Sequence, residues 1–549
     1  MDLTSAAVNV LWAGASLSAW RALRVSLRRP VETQTRLLLR YLADNRDTVV
    51  GRMYGFRGMR SVAEYQARVP VSGYDDIEPF VHEIARGTPG ILTAAPVERL
   101  VPSGGSTAGL KLIPFTAPLR QEFSRAIDAW LVELFAQHPA LLGGPAYWSI
   151  TPSTRVTPDA RSEHAVSIGF DDDSMYLGGA RQKLAQAIMA VPPVLGRMRE
   201  TAAFRYATVL FLLRARELRL ISVWHPSFLE GLLDVFEEQR ERLLRDLAAG
   251  TFQPPGPCDP GERAMLERLL TPQPARARVI RSAAPGDLHA VWPKLSLISC
   301  WADGPSRGAA GALEHRAGNV PIQAKGLLAT EGVVTIPFAD CHPLAIRSHF
   351  FEFIDAAGGF RPAHELRRGE EYTVVVTTGG GLYRYRLGDR VRVDGFVDET
   401  PSLRFVGKDD LVSDWFGEKL TDGFVAGVLR SLFPRQTSPR FAMLAPERTS
   451  SGLTYTLFVD VDASASPDLS VRLERALRRN PQYAWCVDLG QLQPARVLPV
   501  GPDAARAYVD ACAARGQRIG DIKPVALRPD VGWARVLSSG SGVLEDARC

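Results

Sequence analysis

Apolar residues recur at helical spacing along much of the first half of the chain. Across residues 31–46, Leu38, Tyr41 and Leu42 fall on one face, which predicts an amphipathic helix. Residues 6–20 are almost wholly apolar and resemble a weak secretion signal. The segment before them carries Asp2 and no base, while Arg21 and Arg24 follow, so an N-terminal helix is expected instead. Ser227 and Glu230 have capping-box spacing. They predict a helix that starts at Ser227, presents Leu229, Leu232, Leu233, Phe236, Leu243 and Leu247, and stops at Gly250. Residues 251–262 hold four prolines and two glycines and read as a loop.

From about residue 290 the texture turns to strands. Residues 295–300, 332–337, 372–378 and 382–386 read as β, the last two flanking Gly379, Gly380 and Gly381 as a tight hairpin. A strand pair at 391–393 and 403–406 follows. Beyond 410 the order restarts: helix 421–432, strand 454–461, helix 468–479, β segment 484–499 and helix 503–515. This predicts an α/β (α+β) protein with a large N-terminal domain over 1–407 and a small C-terminal domain over 408–549.

Composition narrows the function classes. The chain has 549 residues, 46% hydrophobic and 23% charged, enough for two or more packed cores and too apolar for disorder. A net charge of +5 is too weak a bias for a nucleic-acid surface. No stretch of about 20 apolar residues is present, so no spanning helix is expected. The six cysteines are widely spaced without a CxxC pair, which argues against a disulfide framework or a Cys-rich zinc site and fits a reducing, cytoplasmic compartment. Only seven of the 65 basic side chains are lysine. A lysine in so arginine-rich a chain marks a candidate place where a compact ammonium is needed; Lys183, on an evident helix, is read as an ordinary surface residue.

Five segments carry candidate chemistry. Ser103, Gly104, Gly105, Ser106 and Thr107, followed by Lys111, form a small-residue loop able to turn N–H and O–H groups and one ammonium toward an anion. The alternative is a Ser/Gly surface turn. Ala329, Thr330 and Glu331 follow Lys325; Thr330 suits a phosphate oxygen and Glu331 a Mg²⁺ ion. Asp389, after a turn expected at Gly388, suits two ribose hydroxyls, or caps its own backbone. Lys408 lies at an expected hinge between the domains. Lys523 sits on a loop braced by Gly520 and Pro524. Asp171, Asp172 and Asp173 are either metal-like or a solvated loop, and His225 reads as structural. Phe338 and Phe351 are candidates for an apolar acyl pocket, although Phe350, Phe351 and Phe353 in one strand equally suit a core.

In their order and spacing these segments resemble the auxin-responsive promoter family of acyl-acid amido synthetases (GH-three type), in the form found in bacteria, within the adenylate-forming superfamily. Residues 73–79, 168–173, 218–224, 350–353 and 406–420 extend the likeness over nearly the whole chain. The resemblance implies an adenylate-forming fold with a small mobile C-terminal domain. It also implies ATP with Mg²⁺, a phosphate loop at Ser103–Lys111, a ribose ligand at Asp389, and a catalytic lysine at Lys523 that reaches the α-phosphate when the C-terminal domain closes. Four positions depart from the superfamily pattern: Ala108 stands for a loop glycine, Leu327 and Leu328 for Tyr-Gly, and Lys408 for the usual hinge arginine.

The implied reaction is activation of a small carboxylic acid as an acyl adenylate and its transfer to an amine or amino acid. Alternatives are delivery to a thiol such as CoA and a non-catalytic adenylate-binding homologue. The expected partners are the small acid and the amine, with no nucleic acid or membrane, in a monomer or homodimer.

Overall fold

The computed structural model describes residues 2–103, 111–149, 166–168, 178–198, 200–318, 320–408, 411–433, 439–460, 468–515, 517 and 522–537. Among the described residues, six sheets follow one another along the chain. Strands β1 (Val97–Ser103) and β2 (Lys111–Thr116) form an antiparallel hairpin. Strands β3 (Ala146–Trp148), β4 (Leu220–Ser222), β5 (Leu297–Cys300) and β6 (Ile322–Ala324) form a parallel sheet in sequential order. Strands β7 (Leu328–Ala329) and β8 (Gly332–Val333) make a short ribbon. Strands β9 (Phe350–Ile354), β10 (Phe360–Pro362), β11 (Glu371–Thr377), β12 (Tyr385–Val397) and β13 (Thr400–Lys408) build an antiparallel sheet of order β10-β9-β11-β12-β13. Strands β14 (Val412–Ser413) and β15 (Leu420–Thr421) form a further ribbon, and β16 (Ala442–Thr449), β17 (Gly452–Val459) and β18 (Leu492–Pro499) a mixed three-stranded sheet.

Burial follows the predicted faces. Leu38, Tyr41 and Leu42 of helix Pro30–Asp44 pack with β1, β2 and the antiparallel sheet in one core. The parallel sheet and helices Thr201–Arg214, Pro226–Glu238 and Arg240–Ala249 enclose a second. Helix Leu3–Leu27 covers the predicted N-terminal helix. Asp2 caps it, and Asn9 donates to the carbonyls of Leu142 and Gly144 at 3.2 and 3.1 Å. From Leu420 onward, buried apolar residues form separate cores on the two faces of β16-β17-β18.

Local capping accounts for two departures from the sequence expectation. The helix expected from Ser227 is capped by His225 instead. Pro226 takes the first helical position, where its missing N–H costs nothing, so the cap moves one residue ahead of it. His225 Nδ1 accepts the Ser227 N–H at 3.2 Å. The helix also breaks at Gln239, and its second part ends at Gly250, which takes the left-handed conformation (φ 71°). The β segment expected at 484–499 is half helix. Asn480 caps the N–H groups of Gln482 and Tyr483, Pro481 starts the helix, and Tyr483, Cys486 and Val487 are buried at helical spacing through Asp488.

The hairpin of β11 and β12 is wider than a tight turn. Its ladder opens beyond Val376 and Tyr385, and the intervening loop runs over a buried carboxylate. Glu122 accepts from Gly379 N–H (3.0 Å), Tyr41 O–H (2.7 Å) and His349 Nδ1–H (2.9 Å). A Cβ on Gly379 would lie 2.4 Å from Glu122 Oε1, so only glycine permits this approach. Arg384 in the same loop is 4% exposed and has φ of 46°. Its guanidinium makes a bidentate pair with the buried Glu352 (3.0 and 2.9 Å) and donates to the carbonyls of Gln66 and Val69. Thr377 Oγ1 accepts its N–H. Five hydrogen bonds over-determine a backbone conformation that a non-glycine residue rarely adopts.

Candidate functional site

Ser103 ends β1 and pairs across the hairpin with Lys111 at the start of β2. The loop tip with Gly104, Gly105, Ser106 and Thr107 lies outside the described residues, as do Asp171, Asp172 and Asp173. Ser103 Oγ donates to Glu331 Oε1 at 3.0 Å, which joins the first motif to the second. Glu331 is buried, in the turn between β7 and β8, with Thr330 before it and Ala329 ending β7.

That turn is held from behind. Val333 N–H donates to His349 Nε2 at 3.0 Å, which leaves the ring proton on Nδ1, directed at Glu122. A Cβ on Gly332 would come within 2.7 Å of His349 Nε2. The Glu122 hub therefore supports both the Gly379 loop and the Glu331 turn.

Asp389 is not presented by a turn. It lies within β12, where Val375 pairs with Arg386 but Thr373 pairs with Arg390, leaving extra residues on β12. This is a β-bulge, and Gly388, with φ of 73°, supplies the left-handed residue it needs. Asp389 is 1% exposed and 3.0 Å from the ammonium of Lys408, its partner across β13. Burial alone would push its carboxyl up, but the ammonium groups of Lys408 and Lys523 hold it below the ordinary carboxylate range.

Lys523 reaches this cluster from the C-terminal cores. Its Nζ lies 3.5 Å from the Leu328 carbonyl oxygen, 5.0 Å from the Trp301 ring centre and 5.9 Å from that of Phe405. The loop carrying it is anchored by Asp422, whose role the sequence reading did not find. Asp422 Oδ1 accepts the N–H groups of Ala526 and Leu527 at 2.7 and 2.9 Å, and Oδ2 accepts that of Lys408 at 3.0 Å. One buried carboxylate thus ties the end of β13 to the Lys523 loop. Burial outweighs these bonds and raises its pKa.

Two tryptophans were given no role from sequence, although Trp224 closes the 218–224 segment. Trp224 and Trp301 follow β4 and β5, at the carboxyl ends of parallel strands where α/β sheets place ligands. Their rings are 5.6 Å apart. Lys325 Nζ lies 4.7 Å from the Trp224 ring and donates to Ser222 Oγ at 2.6 Å. The strand-end position was the available signal.

Ser103, Lys111, Ala329, Thr330, Glu331, Asp389, Lys408 and Lys523 are therefore linked by contact, pairing or chain continuity. Phe338 and Phe351 sit instead in the large core. Phe351 is 1% exposed, packs on Phe353, and its N–H donates to Gln34 Oε1. Both side chains are buried, Phe351 in the strand for which a core was the alternative.

The arrangement offers hydroxyl donors and the ammonium groups of Lys111, Lys408 and Lys523 for anions, a carboxylate at Glu331 for a hard cation, and one at Asp389 for hydroxyls. Among the described residues no group of three or more metal-ligating side chains occurs. A cation here would therefore draw most of its ligands from elsewhere, as Mg²⁺ does from substrate phosphates and water.

Comparison with known proteins identifies the family. Residues 20–322 match the GH3 family N-terminal domain and residues 342–408 the GH3 family central domain. A probable indole-3-acetic acid-amido synthetase of Oryza sativa subsp. japonica is 28% identical over 443 residues, covering 70% of each chain. A jasmonoyl-L-amino acid synthetase of Nicotiana attenuata is 24% identical over 407 residues, covering 69% of each. The solved structure of the GH3.15 acyl acid amido synthetase superposes with a TM-score of 0.79 at 19% identity, covering 94% of this chain and 95% of that one. It shares the mixed helix-and-sheet fold. With both family domains matched in order over more than half its length, the chain belongs to the GH3 family.

Proposed function

We propose that the protein is an ATP-dependent, AMP-forming amide ligase, a bacterial form of its family. It activates a small carboxylic acid as an acyl adenylate, a carboxylate oxygen bonding to the α-phosphate of ATP as the bond to the leaving pyrophosphate breaks, and transfers the acyl group to an amine or amino acid. The carrying observation is the approach of Lys523, from the C-terminal cores, to the cluster of Leu328, Asp389 and Lys408. Membership in the GH3 family, with relatives named as amido synthetases, favours an amine over a thiol acceptor.

A carboxylate and ATP are both anions, so their reaction needs positive charge between them. In this reading the residues of the 103–111 loop and Thr330 hold the phosphates and Asp389 accepts from the ribose hydroxyls. Lys523 meets the charge that develops at the α-phosphate. Glu331 fits Mg²⁺ as its protein carboxylate, and the ion would supply further neutralisation of phosphate charge. The amine nitrogen then forms the C–N bond, the acyl C–O bond to phosphate breaks with its electron pair leaving on AMP, and the amine proton passes to solvent. Residues 1–407 carry the nucleotide and acid, residues 408–549 act as the mobile lid, and Lys408 lies at the hinge. The widely spaced cysteines support a cytoplasmic setting.

ATP with Mg²⁺ is expected to stabilise the fold by RT ln(1 + [L]/Kd), about 2.7 kcal/mol at a hundredfold excess over Kd, and so to raise the melting temperature. A calorimetric titration and melting curves without any shift would sink the reading. Asp389→Ala is expected to weaken ATP about tenfold, the scale of one charge-assisted hydrogen bond, and to leave acid binding nearly unchanged. Equal loss of both would make Asp389 a structural residue. The acid and amine are to be identified by mass-spectrometric screening of acid and amine libraries with ATP.

A further inference from the structure

Helix Leu3–Leu27 packs against helices Ala117–Gln137 and Gly179–Ile188, and its polarity is partly inverted. Half of its buried residues are polar. Ser5 Oγ donates to Asp2 at 2.6 Å, Asn9 donates to the Leu142 and Gly144 carbonyls, and Ser16 Oγ donates to Asp128 at 3.1 Å. The outward stripe is apolar. Leu3, Ala7, Val10, Gly14, Arg21 and Val25 follow one another at intervals of three, four or seven residues, so they share one exposed line, with Leu11 beside it. Leu3, Val10, Leu11 and Val25 are 71, 57, 65 and 62% exposed. A single exposed apolar side chain is ordinary, but a row of them along one helix marks a contact surface.

The charge of this helix has one sign. Between Leu3 and Arg29 the chain holds Arg21, Arg24, Arg28 and Arg29 and no acidic residue. Arg24 lies 5.0 Å from the Trp20 ring centre. Arg28 and Arg29 face Asp398 and Glu32 at 3.5 and 3.8 Å, in exposed pairs of the weak kind.

A second observation adjoins the first. Ser18, Ala19 and Ala22 of the same helix form one wall of an open cleft of about 640 Å³. Arg120, Arg125, Arg181 and Arg347 line it against one carboxylate, Asp128. Arg181 already holds Asp128 at 3.0 and 2.9 Å, and Arg120 pairs with Glu98. Glu122, three residues before Arg125, is directed at Tyr41, Gly379 and His349 instead. Arg125 and Arg347 form no ion pair among the described residues. They donate to the carbonyls of Arg347 and Ala19, each at the long distance of 3.4 Å. Burial and the nearby Arg125 and Arg40 push the Arg347 pKa down, with no carboxylate opposing. Cations held this close repel one another unless an anion joins them.

We propose that this face rests on an anionic membrane surface, with the stripe of helix Leu3–Leu27 in the boundary between headgroups and acyl chains and a lipid phosphate held by Arg125 and Arg347 in the adjoining cleft. An apolar row that continues into arginines is what such a boundary accepts, since it supplies an apolar layer and counter-charge together. A second copy of the chain would bring the same one-signed helix to the contact and leave its arginines without partners. Among the described residues no helix is long and apolar enough to cross a membrane, and lying on the surface requires none. The inference stands apart from the ligase reading.

The test is co-sedimentation of the full chain with phosphatidylcholine vesicles, with and without about 30% phosphatidylglycerol. It uses neither ATP nor acid, so its outcome is separate from that of the activity assays. Binding is expected to the anionic vesicles, and to fall about tenfold between about 0.1 and about 0.5 M salt. Val10→Gln with Leu11→Gln should lower it about tenfold, with the melting temperature unchanged because both side chains face solvent. Arg125→Gln with Arg347→Gln should lower it severalfold more than Arg268→Gln with Arg278→Gln, which removes the same charge from exposed positions outside the cleft. Melting curves confirm that each variant is folded. No binding, equal binding to neutral vesicles, indifference to the two glutamines, or equal effects of the two arginine pairs would overturn the proposal. Light scattering that finds a homodimer split by Val10→Gln with Leu11→Gln would overturn it too, by making the stripe a subunit interface.

Discussion

Lys523→Ala is expected to slow acid-dependent pyrophosphate release about 10²-fold or more while leaving ATP affinity nearly intact. The ammonium stands over the Trp301 and Phe405 rings with the Leu328 carbonyl 3.5 Å away, at the end of a loop clamped by Asp422. That is a preorganised charge, and it gains most when negative charge is shared between the attacking carboxylate and the α-phosphate. Its removal therefore falls on kcat rather than on ground-state binding. Lys523→Arg should rescue poorly, because a planar fork does not replace a compact ammonium between two rings. A chemically synthesised acyl adenylate supplied to the alanine variant should still react with amine, since that half-reaction begins after the charge has been neutralised. Wild-type adenylation by the variant would make Lys523 an ordinary surface lysine.

Arg384→Ala is expected to destabilise the fold by about 3–5 kcal/mol, because it leaves Glu352 as a buried charge without its partner. Glu352 is 1% exposed and, among the described residues, would retain the Gln66 amide as its side-chain donor. The carbonyls of Gln66 and Val69 would lose their guanidinium donors at the same time. The double variant Arg384→Met with Glu352→Leu should be more stable than Arg384→Ala, since no charge then remains buried. A loss of unfolding free energy of less than about 1 kcal/mol in Arg384→Ala, measured by denaturant titration, would show that solvent reaches Glu352. The same arginine lies one turn of chain from the bulge that carries Asp389, so kinetic effects of this variant are to be read only after stability is restored.

Much of the site was legible in the sequence because its chemistry is local. Ser103, Glu331, Asp389, Lys408 and Lys523 each sit beside glycines, prolines or strand ends that limit what the backbone can do there, and the scarcity of lysine drew attention to the two ammonium groups. The helical faces at 31–46 and 421–432 and the strands at 372–378 and 403–406 followed from apolar spacing, which reports burial directly, whereas the segments read as two strands at 382–386 and 391–393 fall in the single strand Tyr385–Val397 or the loop before it, and Phe360–Pro362 was not foreseen.

What only the tertiary structure decided has a common cause. Spacing shows that a residue is buried, not what it is buried against. Trp301 and Phe405 are more than 100 residues apart, and neither signals that it will face Lys523. Asp422 reads as the first residue of a helix until its carboxylate is seen to hold both Lys408 and the loop after Lys523. The Asp389 bulge depends on how many β12 residues oppose β11, a count set by pairing between strands. Helix 481–488 and strand residues look alike by apolar content, and a three-residue cap at Asn480 settled the choice. Phe351 illustrates the limit most simply: its aromatic ring suits a ligand wall or a core equally, and the packing of β9 against the helix at Pro30–Asp44 placed it in the core.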